Sequence, residues 1–290
     1  MDYLNYKNAF KVYRLPLKPI EYQGTMIDMR EQLLEATCAM LILQGYAPYE
    51  PRPGKPHLSA YYVASNRVYQ IAVRLAEELG KQHKAVRAKV PLKHLMDQNN
   101  IGRRGINTLI GTEGLGTMFC AQVVLTDMFE AQEYNACDRG CVECGRCIQA
   151  CPNGAITKEG LIKERCVRYH LSKQPISDDI KELFPSLLGC DLCQQACPRN
   201  VKIAPYAMPE ELDHIFTYAN IITRSTHLKD QFTAAIGSNL RPQVRPQTLI
   251  MAGREGVAGF EAYANKLLNT AEGDAARYYL QSLKKKGTAE

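Results

Sequence analysis

Residues 141–152 read CVECGRCIQACP, and residues 189–200 read GCDLCQQACPRN. The first segment is a C-x2-C-x2-C-x3-C-P run, a spacing typical of bacterial ferredoxins with two [4Fe–4S] clusters, in which the fourth cysteine binds the other cluster. The second segment, C-x2-C-x3-C-P, is one thiolate short, and Cys166 is the obvious further ligand. Nine of the eleven cysteines lie between Cys137 and Cys197. The spacing therefore predicts two clusters held in one folded unit.

Each cluster is expected to take ligands from both segments, because three closely spaced thiolates hold one face of a cubane and the fourth corner comes from farther along the chain. We assign cluster one to Cys141, Cys144, Cys147 and Cys197. We assign cluster two to Cys151, Cys166, Cys190 and Cys193. This crossing ties the two cysteine runs together.

Zinc sites and disulfides are the alternative uses of so many cysteines. Zinc takes four ligands from two C-x2-C pairs, and the longer run would leave cysteines over. A disulfide framework suits a short secreted chain, whereas this chain has 290 residues and no recognisable secretory segment. Two clusters remain the better interpretation, with Cys38, Cys120 and Cys137 left as ordinary buried or free thiols.

The composition predicts a water-soluble protein. The hydrophobic fraction of 46% supports one large or two modest cores. No apolar run approaches the ~20 residues that span a bilayer, so we expect no membrane association and a reducing, cytoplasmic location. The net charge of +6 is spread out. The run 284–286, three lysines, is expected at a helix C-terminus, where cations suit the helix dipole, rather than at a nucleic acid.

The pattern along the chain predicts an α+β domain. Residues 26–45 have apolar positions at near-helical spacing, and a second helix is expected from a cap at Ser59 to Gly80. Strands are predicted at 85–90, 106–110 and 117–126. Helices are predicted at 255–269 and 273–285.

Five glycines fall between residues 102 and 116. The ordinary interpretation is a hairpin with loose turns, and the functional one is a backbone platform for a large planar cofactor. The segment lacks both the G-x-G-x-x-G pattern and the lysine of a phosphate loop, so a nucleotide-binding fold is not indicated.

Over about residues 55–205 the chain resembles epoxyqueuosine reductases and, more distantly, reductive dehalogenases. The resemblance rests on the segment 86–92, the run 101–109 (IGRRGINTL), the strand 123–127 (VVLTD), and the cysteine array with Arg165 before Cys166. Ordinary ferredoxins carry no domain of 130 residues ahead of their cysteines.

This resemblance implies a nitroreductase-like, cobalamin-binding domain at 1–130, a double-cluster ferredoxin-like domain at 131–205 and a short helical segment at 206–290. It also implies a base-off corrinoid reduced by the nearer cluster. The cofactor-binding residues expected from it are Gly102, Arg103, Arg104, Gly105, Asn107, Thr108, Gly114, Gly116 and Thr117.

Two departures from the family pattern bear on activity. Ala88 stands where these reductases have an aspartate proton donor, three residues before the proline that is Pro91 here. The family's lysine-histidine-serine run reads Ile-Asn-Thr at 106–108. The C-terminal segment is expected to hold only a remnant of the helical repeats that engage tRNA, which disfavours tRNA as a partner.

The main prediction is an iron–sulfur and cobalamin-dependent oxidoreductase that reduces or handles a corrinoid, with electrons from a donor such as ferredoxin or flavodoxin and with a corrinoid protein as a further partner. The alternatives are a substrate reductase of the epoxyqueuosine reductase or dehalogenase type, and a corrinoid-free electron-transfer module. Catalytic residues are not assigned. The nearby candidates for proton donation or anion binding are Tyr61, Tyr62, Lys89, Lys93, Arg103 and Arg104. The six histidines show no metal-ligand spacing.

Overall fold

The structure, a computed structural model, describes residues 10–135, 141–171, 176–238 and 241–287. Cys137 lies outside these ranges. Elements are numbered in chain order. The first part of the chain contains β1 (Phe10–Leu15), β2 (Ile20–Tyr22), β3 (Thr25–Ile27), β4 (Cys38–Gly45), α1 (Ala60–Leu79), β5 (Ala85–Ala88), α2 (Leu92–Gln98), β6 (Arg103–Arg104), β7 (Ile110–Gly111) and β8 (Phe119–Thr126).

The main sheet is antiparallel with strand order β1-β4-β8-β5. Its central strand β4 is buried along all eight residues. Alternate side chains of β4 enter two different cores. Met40 and Ile42 pack in the core that includes α1, and Leu41 and Leu43 pack in the core on the opposite face. The sheet therefore separates two hydrophobic layers.

Burial of both faces explains why the predicted helix at 26–45 is wrong. That range holds β3, a short 3₁₀ helix at Met29–Glu31, and β4. A strand buried on both faces reads as a continuous apolar run, whose spacing does not distinguish strand from helix.

The other predictions for this part are met with small shifts. Helix α1 begins directly after Ser59 and ends before Gly80, and strands β5 and β8 fall within the predicted ranges. The strand expected at 106–110 is instead mostly the loop of a β6–β7 hairpin. Thr108, with φ of 62°, is left-handed there and cannot continue a strand.

The cysteine-rich part contains short elements between loops: α3 (Arg146–Gln149), β9 (Ile156–Thr157), β10 (Gly160–Leu161), α4 (Val167–His170), α5 (Asp178–Glu182) and α6 (Leu192–Gln195). A 3₁₀ helix, Pro198–Asn200, follows Cys197. The fold is thus a mixed α and β fold, as predicted.

The C-terminal part is larger than a remnant. It holds α7 (Glu210–Asp213), α8 (Tyr218–Ile222), α9 (Lys229–Ile236), α10 (Arg241–Glu255), α11 (Glu261–Leu267) and α12 (Gly273–Gly287). Helices α10 and α12 pack together, and α9 packs on α1. The lysines at 284–286 lie in the last turn of α12, as expected. None of the helices in the described ranges has the length and apolar character needed to span a membrane.

One hydrophobic core runs through all three parts of the chain. It joins Val68 of α1, Phe184 in the cysteine-rich part and Leu249 of α10, all fully buried. This shared core does not divide at residue 130 or at residue 205. The domain boundaries at these residues stay a prediction.

The glycine-rich segment is docked on the cysteine-rich part at Gly116. This residue has φ of +55°, and a Cβ placed on it would meet the Asn200 side chain and lie 2.8 Å from the Arg199 carbonyl oxygen. Beside it, the Thr117 N–H donates to Asn200 Oδ1 at 2.9 Å, and Asn200 Nδ2 donates to Thr117 Oγ1 at 2.9 Å. A side chain at residue 116 would separate the two surfaces.

We predict that Gly116→Ala destabilises the folded protein by roughly 1–3 kcal/mol more than Gly114→Ala, since overpacking a tight contact costs about that much. Gly114 is the matched control because its φ is also positive, at +78°, yet its Cβ would meet only the flexible end of Lys11 at 3.5 Å. The measurement is anaerobic urea unfolding of the reconstituted proteins. Equal losses for the two variants would contradict the docking.

Candidate iron–sulfur and substrate site

Two left-handed glycines shape the loops that carry the cysteines. Gly145, with φ of +72°, precedes α3, and Gly189, with φ of +81°, precedes Cys190. A Cβ on Gly189 would lie 2.7 Å from the Tyr62 ring. Helix α1 therefore packs directly against the second cysteine loop, which requires glycine at this position.

The structure gathers the eight predicted ligands into two groups of four, each lining its own cavity. The first group consists of Cys141, Cys144, Cys147 and Cys197. The second group consists of Cys151, Cys166, Cys190 and Cys193. Each group draws on both sequence segments, as the crossed arrangement requires. The grouping supports the assignment of ligands, which stays a prediction.

Burial gives two thiols of the second group a high pKa in the absence of iron. Burial, with a smaller contribution from neighbouring cysteines, raises the pKa of Cys193 to about 12 and that of Cys190 to about 11. Thiolates are the form that binds metal, so cluster assembly must release these protons. Two backbone N–H groups already point at sulfur, that of Ala155 at Cys151 Sγ (3.2 Å) and that of Glu143 at Cys141 Sγ (3.4 Å).

Both cavities are lined by the β6–β7 hairpin loop, through Asn107 and Leu109. The cavity of the first group is about 30 Å³ and is closed by the hairpin and by Pro198 and Arg199. The cavity of the second group is about 360 Å³ and extends beyond the cysteines to α1, α2 and the hairpin loop. The second cavity is large enough for a small ligand beside the cluster site.

The nine predicted corrinoid-binding residues do not form one surface. Asn107 and Thr108 line the larger cavity. The smaller cavity is lined by Arg103, Gly105, Asn107 and Thr117. Neither cavity is lined by Gly102, Arg104, Gly114 or Gly116. Among the described residues of the glycine-rich segment, the loop 105–109 therefore lines both cavities, whereas Arg103, Gly111 and Thr117 line only the smaller one.

The residues that line neither cavity have other contacts. A Cβ on Gly102 would lie 2.5 Å from the Gly111 carbonyl oxygen, so this glycine closes the hairpin itself. Arg104 Nε donates to Asp97 Oδ2 at 2.9 Å, which directs the guanidinium toward α2. These positions serve the hairpin's own structure.

Three of the six candidates for proton donation or anion binding line the larger cavity, namely Tyr61, Tyr62 and Lys93. Lys89 is exposed and lines neither cavity.

Two further polar residues of the site were not predicted from the sequence. The Arg168 guanidinium lies 5.4 Å from the centre of the Tyr62 ring, and Asp191 is buried. Both line the larger cavity. Their closeness to Cys166 and Cys190 in sequence is the one signal that could have found them.

A separate cleft of about 810 Å³ opens on the other side of α6. It is lined by the proline-rich loop at 48–56, by His57 and by Asp191, which borders both the cleft and the larger cavity. Burial lowers the pKa of His57, which favours the neutral imidazole. None of the described residues that line the larger cavity is a histidine.

Comparisons with known proteins address the same parts of the chain. The family described as "4Fe-4S double cluster binding domain" matches residues 140–200. The epoxyqueuosine reductase of Cyclobacterium marinum is 28% identical over 161 residues, which is 53% of this chain and 52% of that protein. That of Leadbetterella byssophila is 25% identical over 228 residues, 74% of this chain and 73% of that protein.

Solved structures of epoxyqueuosine reductases share the fold. The Bacillus subtilis enzyme, solved with its catalytic aspartate loop swung out of the active site, covers 98% of this chain and 91% of its own, with a TM-score of 0.71 and 16% identity. The chain is similar to epoxyqueuosine reductases in sequence and in fold. Another epoxyqueuosine reductase, solved with an epoxyqueuosine-modified tRNA stem loop, has a TM-score of 0.68 at 17% identity and covers 91% of this chain and 80% of its own.

These similarities confirm three predictions: the resemblance to epoxyqueuosine reductases, a double [4Fe–4S] cluster domain and an enzyme of the iron–sulfur reductase class. The match to the Cyclobacterium relative spans about half of that relative's length, 52%.

Two predictions are corrected. Corrinoid reduction or handling as the main function is wrong, because the relatives are named as reductases of epoxyqueuosine. The view that tRNA is a disfavoured partner is also wrong, because a structural relative binds a tRNA stem loop. It rested on a C-terminal part of few helices, whereas the described residues after 205 form six helices, α7 to α12. Helices α11 and α12 correspond to the predicted helices at 255–269 and 273–285, whereas α7 to α9, which are short, and α10, which contains Pro246, were not predicted.

Double substitutions test the crossed ligand sets. We expect Cys144→Ala/Cys197→Ala to keep about four of about eight irons, because both residues belong to one [4Fe–4S] site. We expect Cys193→Ala/Cys197→Ala to lose nearly all iron, because each substitution then disables a different site. Iron counting and electron paramagnetic resonance after anaerobic reconstitution measure this.

The control for these variants is Cys38→Ala, a buried thiol far from both groups in sequence, which should keep all of the roughly eight irons. If the two double variants instead exchange their results, the ligand sets follow the sequence segments and are not crossed.

Proposed function

We propose that this protein is a substrate reductase of the epoxyqueuosine reductase type, which carries electrons through two [4Fe–4S] clusters to a substrate on tRNA. The observation that carries the proposal is the larger cavity, about 360 Å³, which is shared by the second cysteine group, two tyrosines of α1 and the hairpin loop. A redox centre and a space for a reacting group therefore adjoin each other.

The first cysteine group is closer to solvent than the second, which favours entry of electrons at cluster one. Cys144 of the first group is exposed, whereas all cysteines of the second group are partly buried. The groups are neighbours, since Cys147 of the first is close enough to raise the pKa of Cys193. A one-electron donor such as ferredoxin or flavodoxin would reduce cluster one at the surface, and cluster two would pass the electron to the cavity.

The residues of the larger cavity would hold part of a corrinoid, which the resemblance implies, because a cavity of about 360 Å³ encloses only part of so large a macrocycle. The Asn107 and Thr108 side chains offer an amide and a hydroxyl, and Leu109, Ile156 and Leu161 supply an apolar wall. When bound, the corrinoid would supply a metal centre that exchanges single electrons with the nearer cluster.

The chain's own residues have three tasks in this proposal. Tyr61 and Tyr62 form one wall, with their rings 5.2 Å apart and perpendicular, and exclude water. The Arg168 guanidinium over Tyr62 adds a positive charge for an anionic substrate group. Lys93 adds a second positive charge opposite the cysteines.

The proposed substrate is epoxyqueuosine in a tRNA anticodon stem loop, by analogy with the relatives' name and with the stem loop in one of their structures. Recognition would use the C-terminal helices. One of them, α9, packs on α1, and so places these helices beside the cavity wall. A double-stranded stem needs a protein surface that contacts its backbone.

The test is anaerobic reconstitution with iron, sulfide and hydroxocobalamin, followed by a single turnover of an epoxyqueuosine-containing stem loop with reduced methyl viologen. We expect conversion of the epoxide only when both clusters and cobalamin are present. Cys193→Ala should abolish conversion while about half of the iron remains, because only cluster two adjoins the cavity. Mass spectrometry of the RNA measures the product.

Conversion without cobalamin would overturn the corrinoid part of the proposal. Reduced clusters with no conversion of the stem loop would overturn the substrate and leave a two-cluster electron-transfer module.

A further inference from the structure

Ala88, which stands at the position of the family's aspartate proton donor, is buried away from both cysteine cavities. Ala88 ends β5, is 3% exposed and packs with Leu95 and Val123 in the second core. It lines neither cysteine cavity. A reductive opening of a carbon–oxygen bond in the larger cavity must therefore take its proton from another group.

Lys93 is close to that position in the chain and opens into the reaction space. It is the second residue of α2, five residues after Ala88, and lines the larger cavity. Its Nζ donates to the Thr108 carbonyl oxygen at 2.9 Å. An ammonium has three N–H donors, so this bond fixes the group and leaves two for a ligand.

We propose that the Lys93 ammonium donates the proton to the oxygen that leaves the substrate carbon. This inference rests on the proposed function. It assigns to α2 the role that an aspartate loop has in the relatives.

The surroundings of Lys93 favour release of its proton. Burial lowers the pKa of Lys93, and the positive charges of Arg104 on β6 and Arg168 on α4 lower it further. Asp97 of α2 and Cys193 of α6 oppose this. Asp97 is engaged by Arg104, which weakens its effect on Lys93. A general acid works best when its pKa approaches the working pH.

The other acids of the cavity are less suited. Burial raises the pKa of Tyr61, and it raises the pKa of Tyr62 to about 12. Arg168 carries a guanidinium, a group that does not serve as a general acid in proteins. The Asp191 carboxyl accepts a hydrogen bond from Gln195 Nε2 at 2.8 Å, and it follows Cys190, a predicted cluster ligand, directly in the chain.

The step balances as a two-electron deoxygenation. The epoxide, two electrons from the one-electron donor through the clusters, and two protons give the alkene and one water. The carbon–oxygen bonds break, and carbon is reduced while the donor is oxidised. Lys93 supplies the first proton to the departing oxygen, and solvent supplies the second proton and reprotonates the amine.

The test compares Lys93→Arg and Lys93→Gln with the surface control Lys84→Gln in the reconstituted protein. Arginine keeps the charge but does not release its proton. We expect Lys93→Arg to bind the stem loop within about threefold of wild type, and both Lys93 variants to lose ~10²–10⁴-fold in single-turnover rate. Wild-type rates should fall as pH rises through the lysine pKa, and this alkaline fall should be absent in both variants.

A second measurement does not depend on activity. The pH dependence of labelling by acetic anhydride, read by mass spectrometry, should show Lys93 reacting at lower pH than Lys84, because only an unprotonated amine is labelled.

The outcomes separate the two proposals. A single-turnover rate of Lys93→Arg within about threefold of wild type would overturn the proton-donor role, since general acids contribute far more than that. A loss of binding alone would likewise make Lys93 only an anion-binding residue. If the decrease of the single-turnover rate at high pH disappears in Asp191→Asn but persists in Lys93→Arg, the proton donor is Asp191 and not Lys93. If wild type itself converts no substrate although its clusters are reduced, the proposed function fails instead.

Discussion

Two buried amide side chains hold the cysteine loops on the sheet, and the site depends on them. Gln194 Nε2 donates to the Tyr46 hydroxyl at 3.1 Å, and the Thr117 hydroxyl donates to Gln194 Oε1 at 3.3 Å. Asn200 exchanges hydrogen bonds with Thr117 and also donates to the Gln194 carbonyl oxygen at 2.7 Å. An amide both donates and accepts, so it bridges buried surfaces without the cost of burying a charge.

This bridge fixes the distance between the reducing centre and the reaction space. Gln194 follows Cys193 directly, and Asn200 ends the 3₁₀ helix that follows Cys197, so one segment carries both a cluster ligand and an anchor for each group. Helix α1 holds the opposite wall, where Tyr62 packs against Gly189. Electron transfer falls steeply with distance, and these contacts keep the second group at the cavity without a flexible hinge.

The cysteine groups were predictable because ligand chemistry leaves few ways to place four thiolates around a cubane. The spacing of the cysteines indicates this without a closely similar sequence. Helix α1 was predictable because one of its faces is buried and the other exposed. Strand β4 was not, since both of its faces are buried and its residues 38–45 carry no alternation. The bridging amides were also hidden: Gln194 and Asn200 are ordinary polar residues in sequence, and only their partners across the fold reveal their role.

The predicted crossing of the ligand sets has a consequence for how the protein is made. Residue 141 leaves the ribosome well before residue 197, so the first three cysteines of group one emerge without their fourth partner. Neither cluster can close during synthesis of the first cysteine run, and the nascent segment must stay accessible to the iron–sulfur delivery machinery until the chain has passed the second. Each cluster is therefore completed only after the second cysteine run has been synthesised, through Cys193 for cluster two and through Cys197 for cluster one.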